Sequence, residues 1–164
     1  MLRRLRETAP AGLVPLAWLF AFAAHEGALA DRTVLVGHVV MTALLVAFAA
    51  LSYEDMRDHP VLRAWLAVIV VGIPVTAAGA YGVWSGDTAF ALLAVVGWMA
   101  LPAVALAYTG RVLPSAERAR VYTLGGALSG VGAALLLVGT AVPVAFLCVG
   151  AGQTAGILAA TLTY

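Results

Sequence analysis

Apolar side chains dominate six segments of this sequence, and each segment is long enough to cross a lipid bilayer as a helix. Of the 164 residues, 63% are hydrophobic and only 10% are charged. A soluble domain is about half apolar and about a quarter charged, so its interior could not hide this much apolar surface. In lipid, a spanning backbone must satisfy its own hydrogen bonds, which continuous helices do. The sequence therefore predicts an all-α, polytopic membrane protein.

We predict a single transmembrane domain over residues 1–164, built as a bundle of six helices. The spans are expected at about 11–28, 33–52, 61–84, 88–109, 121–138 and 142–163. The last two come from the 44 residues 121–164, which contain no Asp, Glu, Arg, Lys or His. One helix of that length would be about 66 Å long, about twice the hydrocarbon thickness, so we expect a turn at residues 139–143. In a five-span alternative, this last hairpin is re-entrant.

Charged loops and short turns separate the spans. Residues 53–60 and 110–120 are rich in charged side chains and are expected to be solvated loops, and residues 85–87 are expected to form a tight turn. The first segment also has features of a signal peptide, with a basic start, an apolar stretch and Ala28-Leu29-Ala30. The polar pair His25-Glu26 is unlike a cleavage region, so we favour a first span.

The arginines predict the orientation of the helices. Six spans place eight of the nine basic residues on one side of the membrane, namely Arg3, Arg4, Arg6, Arg57, Arg63, Arg111, Arg118 and Arg120. Positive charge favours the cytoplasmic side, so we expect both chain ends to be cytoplasmic. All basic residues are Arg, beside abundant Ala, Val, Leu and Gly, which indicates a high-GC prokaryotic genome and hence the plasma membrane of a prokaryote.

Two histidines are candidate cofactor ligands. His25 lies near the outer end of span one, and His38 lies a few residues inside span two from the same side. Imidazole is the commonest biological metal ligand and a usual axial ligand of haem iron. A pair on adjacent antiparallel helices could hold haem, a metal ion or a quinone head group, with Glu26 nearby. Alternatively, both histidines face lipid head groups or hydrogen-bond a neighbouring helix.

The last two spans carry candidate packing residues. Gly126 and Gly130 form a GxxxG motif in span five, and Gly152 and Gly156 form another in span six. Small residues four apart allow two helices to approach closely, so we expect helix five to pack on helix six or on another subunit. A substrate groove is the alternative. Gln153, an amide at the centre of span six, is expected to form an interhelical hydrogen bond.

The sequence favours a protein without its own catalytic machinery. It has no phosphate loop, no Cys/His cluster and no His-Glu-x-x-His motif, and its net charge of +1 does not favour nucleic-acid binding. We therefore expect an accessory, assembly or interaction subunit in the lipid bilayer, as a homo-oligomer or in a larger membrane complex. The alternative is haem, metal or quinone binding through His25 and His38. A small transporter comes third, because no Asp, Glu or Arg falls mid-span.

Two segments resemble helices of small proteins related to the catalytic subunit of haem-copper oxidases. They are Gly37-His38 with Ala47-Phe48, and Val96-Gly97-Trp98 through residues 111–114. The resemblance covers spans two to five and implies membrane-embedded histidine ligands. This sequence departs from that pattern, because only His38 lies well within a span. No membership in the family follows.

Overall fold

Each of the six predicted segments contains a helix in the computed structural model, which describes residues 2–114 and 118–161, and of residues 2–11 the backbone alone. The described residues form no strand. The helices are α1 (Leu2–His25), α2 (Asp31–Met56), α3 (Pro60–Ser85), α4 (Thr88–Val112), α5 (Ala119–Leu137) and α6 (Val142–Thr161). The predicted all-α fold is confirmed.

Five of the helices, α2 to α6, are long and apolar enough to cross a membrane. The apolar part of α1 among the residues with described side chains, Gly12–His25, is shorter. α5 and α6 have 19 and 20 residues and are about 30 Å long, which matches the hydrocarbon core and favours two crossings over a re-entrant hairpin. The fold is therefore that of a multi-pass helical membrane protein.

Glycines with positive φ follow the ends of three helices, α1, α3 and α5. Gly27, Gly86 and Gly139 have φ angles of 71°, 73° and 71°, in the left-handed region that favours glycine. Pro143 lies in the first turn of α6, where its missing N–H removes no helical hydrogen bond. The turn after α3 covers Gly86 and Asp87, and the turn after α5 covers residues 138–141, so Ser85 and residues 142–143 of the expected turns are helical.

The expected loop at residues 53–60 is shorter in the structure, because α2 continues to Met56. Ser52 and Met56 are buried, and no glycine or proline interrupts the chain before Pro60, which begins α3. Arg57 pairs with Glu54 at 2.8 Å across the last turn of α2. The charged residues after position 52 thus extend the helix beyond its apolar part.

The helices form two compact units. The terminal unit contains Met1–Phe22 and Pro102–Tyr164, and the central unit contains Ala23–Leu101. The terminal unit is organised by the α5–α6 hairpin, and the central unit by the α2–α3 hairpin. The candidate histidines lie in the central unit, and the candidate packing glycines in the terminal unit.

Candidate functional site

His38 lies on the face of α2 that packs against α3. This face carries the buried residues Val34, Leu45, Ser52 and Met56, and His38 is half-buried in the same row. These residues are four or seven positions apart, as expected for a helix that packs along one side. His38 is therefore held between two helices of the central unit.

One ring nitrogen of His38 is fixed by the backbone of its own helix. Nδ1 lies 2.9 Å from the carbonyl oxygen of Val34, one turn earlier. A carbonyl oxygen only accepts hydrogen bonds, so Nδ1 carries the proton. In the neutral ring Nε2 then carries a lone pair. Histidine ligands show this same tautomer, with the proton on Nδ1, when Nδ1 donates to a carbonyl oxygen.

Gly79 of α3 lies next to Nε2 of His38, and Ala94 of α4 lies next to Gly79. A methyl group added at Gly79 would lie 2.5 Å from Nε2, 2.8 Å from Cδ2 and 2.7 Å from Cβ of Ala94. The distances place Gly79 beside the Nε2–Cδ2 edge of the imidazole. The absence of a side chain at Gly79 thus leaves room for the imidazole beside α3.

A tryptophan packs on a second glycine of α3 in the same unit. A methyl group added at Gly72 would lie 2.6 Å from two carbons of the Trp98 indole. Nε1 of Trp98 donates to Oγ1 of Thr76 at 3.0 Å, and this hydroxyl donates to the carbonyl oxygen of Gly72 at 2.8 Å. The packing of α3 on α4 therefore combines close approach with a polar link.

His25 is the last residue of α1 and is exposed. His38 follows the start of α2 by seven residues, which is about 10 Å along the helix axis. Among the residues that the structure describes, no group of three or more His, Cys, Asp or Glu side chains is arranged to hold a metal ion.

The candidate packing glycines have different surroundings. Gly152 meets α5, since a methyl group added there would lie 2.5 Å from the carbonyl oxygen of Gly125. Gly126 and Gly156 meet α4, the first at the carbonyl oxygen of Ala103 and the second at the side chain of Leu106. Gly130 is exposed, with open space where a methyl group would be added.

The line of contact between α5 and α6 also contains glycines outside the two GxxxG motifs. Gly125 and Gly152 approach each other reciprocally, and Gly132 approaches the carbonyl oxygen of Ala145. Ser129 lies between Gly125 and Gly132 in the sequence and is fully buried. Its hydroxyl has no hydrogen-bond partner among the described residues. The contact row thus follows a seven-residue spacing, which a search for GxxxG misses.

Gln153 is buried and accepts a hydrogen bond from Nε1 of Trp18 at 3.0 Å. This bond joins α6 to α1 within the terminal unit. Phe146 packs edge-on against Trp18 with 6.0 Å between ring centroids and contacts Phe22 at 5.4 Å. The sequence marks Gln153 as a residue that needs a partner in lipid, but it does not identify Trp18 as that partner.

α2 is the least covered helix of the candidate spans. Only 6% of its most apolar window is buried, compared with 28–39% in α3 to α6. Its outer face lies opposite the α3 contact and consists of Val36, Val40, Ala43, Ala47 and Ala50, all exposed. These residues follow one another at spacings of four and three, so they form a straight stripe of small and β-branched side chains.

Comparison with known protein families, with curated proteins and with solved structures gives no match. The structure itself defines the class, a multi-pass helical membrane protein in a lipid environment.

Proposed function

We propose that this chain is a non-enzymatic accessory or interaction subunit that binds another transmembrane helix through the outer face of α2. The observation that carries the proposal is the low burial of α2, with 6% of its most apolar window buried, together with an exposed stripe of Ala and Val residues on the side away from α3. The partner helix belongs to a second copy of the chain or to another subunit of a larger membrane complex.

Helix association in lipid depends on close packing, which explains why this face is suited to a partner. Lipid tails are as apolar as Val or Leu, so an exposed apolar surface alone gives no driving force. Small side chains at one helix face allow two backbones to approach and gain dispersion contacts. A seven-residue repeat keeps such a face in register with a partner over the whole length of the membrane.

The glycine-rich faces of α5 and α6 support the same choice of surface. Gly125, Gly132 and Gly152 are already in close contact within the terminal unit. These glycines are therefore not free to bind a second subunit. Ala43 and Ala47 of α2 are exposed and on the outer face.

Cysteine cross-linking in native membranes tests this proposal. Cys148 is replaced by alanine, and Ala47→Cys is introduced on the outer face of α2. A cross-linked species of higher mass is expected. In a second variant the cysteine is placed at position 43 (Ala43→Cys), and adding Ala47→Leu to it should reduce the amount of cross-linked species. Ala77→Cys on the exposed side of α3 is the matched control. Equal cross-linking of Ala47→Cys and Ala77→Cys, or none with either, would contradict the proposal.

A second candidate function is the binding of haem, a metal ion or a quinone near the outer leaflet through His38, with or without His25. The supporting observation is the hydrogen bond from Nδ1 of His38 to Val34, which leaves Nε2 as an acceptor or ligand. The visible spectrum and metal content of detergent-purified protein test the haem and metal forms. A Soret band that is lost in His38→Ala would establish haem, and a colourless, metal-free protein would leave only the quinone form.

We further propose six crossings in the plasma membrane of a prokaryote, with both chain ends in the cytoplasm. The arginine distribution supports this orientation, because eight of nine basic residues then lie on the cytoplasmic side. The outer side then carries the turns after α1, α3 and α5. In this orientation His38 lies in the outer leaflet.

A further inference from the structure

We propose that the partner helix on the outer face of α2 is α2 of a second copy of this chain, and that the two copies are related by a two-fold axis along the membrane normal. This inference rests on the first of the functions proposed above and names the partner for it. It depends on two charged residues at the end of the outer face, Glu54 and Arg57, and not on the small residues alone.

The outer face of α2 ends in two opposite charges. Glu54 follows Ala50 by four residues and Arg57 follows Glu54 by three, so both continue the alternating spacing of this face. Both are exposed, whereas Ser52 and Met56 on the opposite side of the same turns are buried. A helix that packs along the outer face therefore meets both charges.

Glu54 and Arg57 retain polar atoms for a partner. Within the chain, Nη2 of Arg57 lies 2.8 Å from Oε2 of Glu54, and Nε of Arg57 lies 3.7 Å from Oδ2 of Asp58. The side chains of Arg57 and Glu54 are still 48% and 72% exposed. A guanidinium has five N–H donors and a carboxylate has about four acceptor sites, so both groups can bind a second partner.

A second copy brings a matching face at the matching depth. Every copy inserts into the membrane in the same orientation, so α2 of a neighbouring copy runs parallel to the first. A two-fold axis along the membrane normal makes the interface isologous, which means that residue i of one copy contacts residue j of the other, and residue j contacts residue i. The charges at the end of the face must therefore be complementary to themselves.

The direction of the side chains satisfies this requirement. Side chains on a helix lean toward its N-terminus, so the guanidinium of Arg57 lies at the level of Glu54, as the 2.8 Å contact within one chain shows. In the parallel pair, the guanidinium of each copy then lies at the level of the Glu54 carboxylate of the other copy. Two like charges at these positions would instead repel a second copy. The outer face is thus complementary to itself in charge as well as in shape.

The experiment measures the co-purification of two full-length copies that carry different affinity tags and are expressed together. The two unmodified copies are expected to purify together from membranes dissolved in a mild detergent. Glu54→Arg leaves two positive charges at the end of the face, and Arg57→Glu leaves two negative charges. Each variant expressed as both copies should therefore lower the co-purified fraction by about three- to tenfold. A mixed pair, with Glu54→Arg in one copy and Arg57→Glu in the other, should restore it.

The mixed pair separates a contact between copies from the ion pair within one chain. Both single variants lose the contact between Arg57 and Glu54 of the same chain, so recovery in the mixed pair arises only between copies. The double variant Glu54→Arg, Arg57→Glu keeps opposite charges and should co-purify like the unmodified chain. Unchanged co-purification in both single variants, or no recovery in the mixed pair, would overturn the inference.

The mass of the species cross-linked through Ala47→Cys separates this inference from the proposed function on which it rests. A species of twice the mass of the chain supports the second copy. Cross-linking to a different protein, without co-purification of the two tagged copies, would overturn the second copy and leave the outer face of α2 as a helix-binding surface. The absence of both cross-linking and co-purification would contradict both proposals.

Discussion

Replacing Gly152 with alanine is expected to destabilise the terminal unit by about 1–2 kcal/mol. The new methyl group would lie 2.5 Å from the carbonyl oxygen of Gly125, on the backbone of α5. A carbon and an oxygen in contact are about 3.3 Å apart, so the two helices must separate by somewhat less than 1 Å at this point. Backbone, unlike the end of a flexible side chain, cannot rotate away.

The magnitude follows from the contacts that this separation weakens. The dispersion energy of one atom pair in contact is about 0.1–0.2 kcal/mol. A gap of about 0.5–1 Å loses a quarter to a half of this energy. If about 30 pairs surround the crossing, the loss is about 1–2 kcal/mol. This value lies within the range of about 1–3 kcal/mol for overpacked cores.

Gly125 provides an internal test of this reasoning. A methyl group added at Gly125 would lie 2.5 Å from the carbonyl oxygen of Gly152, so both substitutions require the same separation of α5 from α6. Once the first has moved the helices apart, the second has room. The destabilisation of the double variant should therefore be smaller than the sum of the two single effects, by about 0.5 kcal/mol or more.

The assay is equilibrium unfolding by SDS in mixed micelles, followed by far-UV circular dichroism. Gly130→Ala is the control, because a methyl group there meets open space, and it should not lower stability. Gly156→Ala should cost less than Gly152→Ala, because it meets only the end of the Leu106 side chain. Equal stability of the Gly152→Ala and Gly130→Ala proteins, or strict additivity of Gly125→Ala and Gly152→Ala, would refute the close backbone contact.

Two further substitutions test the polar links between helices. Trp18→Phe removes the hydrogen bond to Gln153 and should cost about 0.5–1.5 kcal/mol in the same SDS titration; no change would show that the bond contributes nothing to stability. Gly72→Ala adds a methyl group 2.6 Å from the indole of Trp98 and should displace this ring from Thr76. Gly72→Ala should therefore shift the tryptophan fluorescence, and the shift should be absent in the Gly72→Ala, Trp98→Phe double variant. An unchanged spectrum in Gly72→Ala would count against the packing.

The helices could be predicted from the sequence because apolar length and turn residues act locally. Gly86 and Gly139 mark turns, and their positive φ angles confirm the expectation. The end of α2 could not be predicted from charge alone. Glu54 and Asp55 continue the helix to Met56, because no glycine or proline precedes Pro60 in this segment.

Helix pairing was harder to predict, because all faces of a membrane helix are apolar. A GxxxG motif identifies Gly126 and Gly130 as one pair, but in the structure Gly126 meets α4 and Gly130 is exposed. The partner of Gln153 is Trp18, 135 residues away in the sequence. Such contacts depend on the relative rotation of the helices, and a sequence pattern of one helix does not specify it.

The same limit applies to the candidate site. The sequence places His25 and His38 near the same side of the membrane, but it does not specify the hydrogen bond to Val34 that fixes the ring of His38. It also gives no sign that Gly79 makes room for that ring, because the contact joins residues of two helices.

Cysteine accessibility on the two sides of the membrane tests most directly the claim that the arginine-bearing loops are cytoplasmic. In a Cys148→Ala background, Arg57→Cys reports the turn after α2 and Ser85→Cys reports the end of α3, and both positions are exposed. A membrane-impermeant maleimide added to intact cells should label Ser85→Cys and should label Arg57→Cys only after the cells are opened. Labelling of both positions from the same side would contradict the orientation and the crossing of α3 between them.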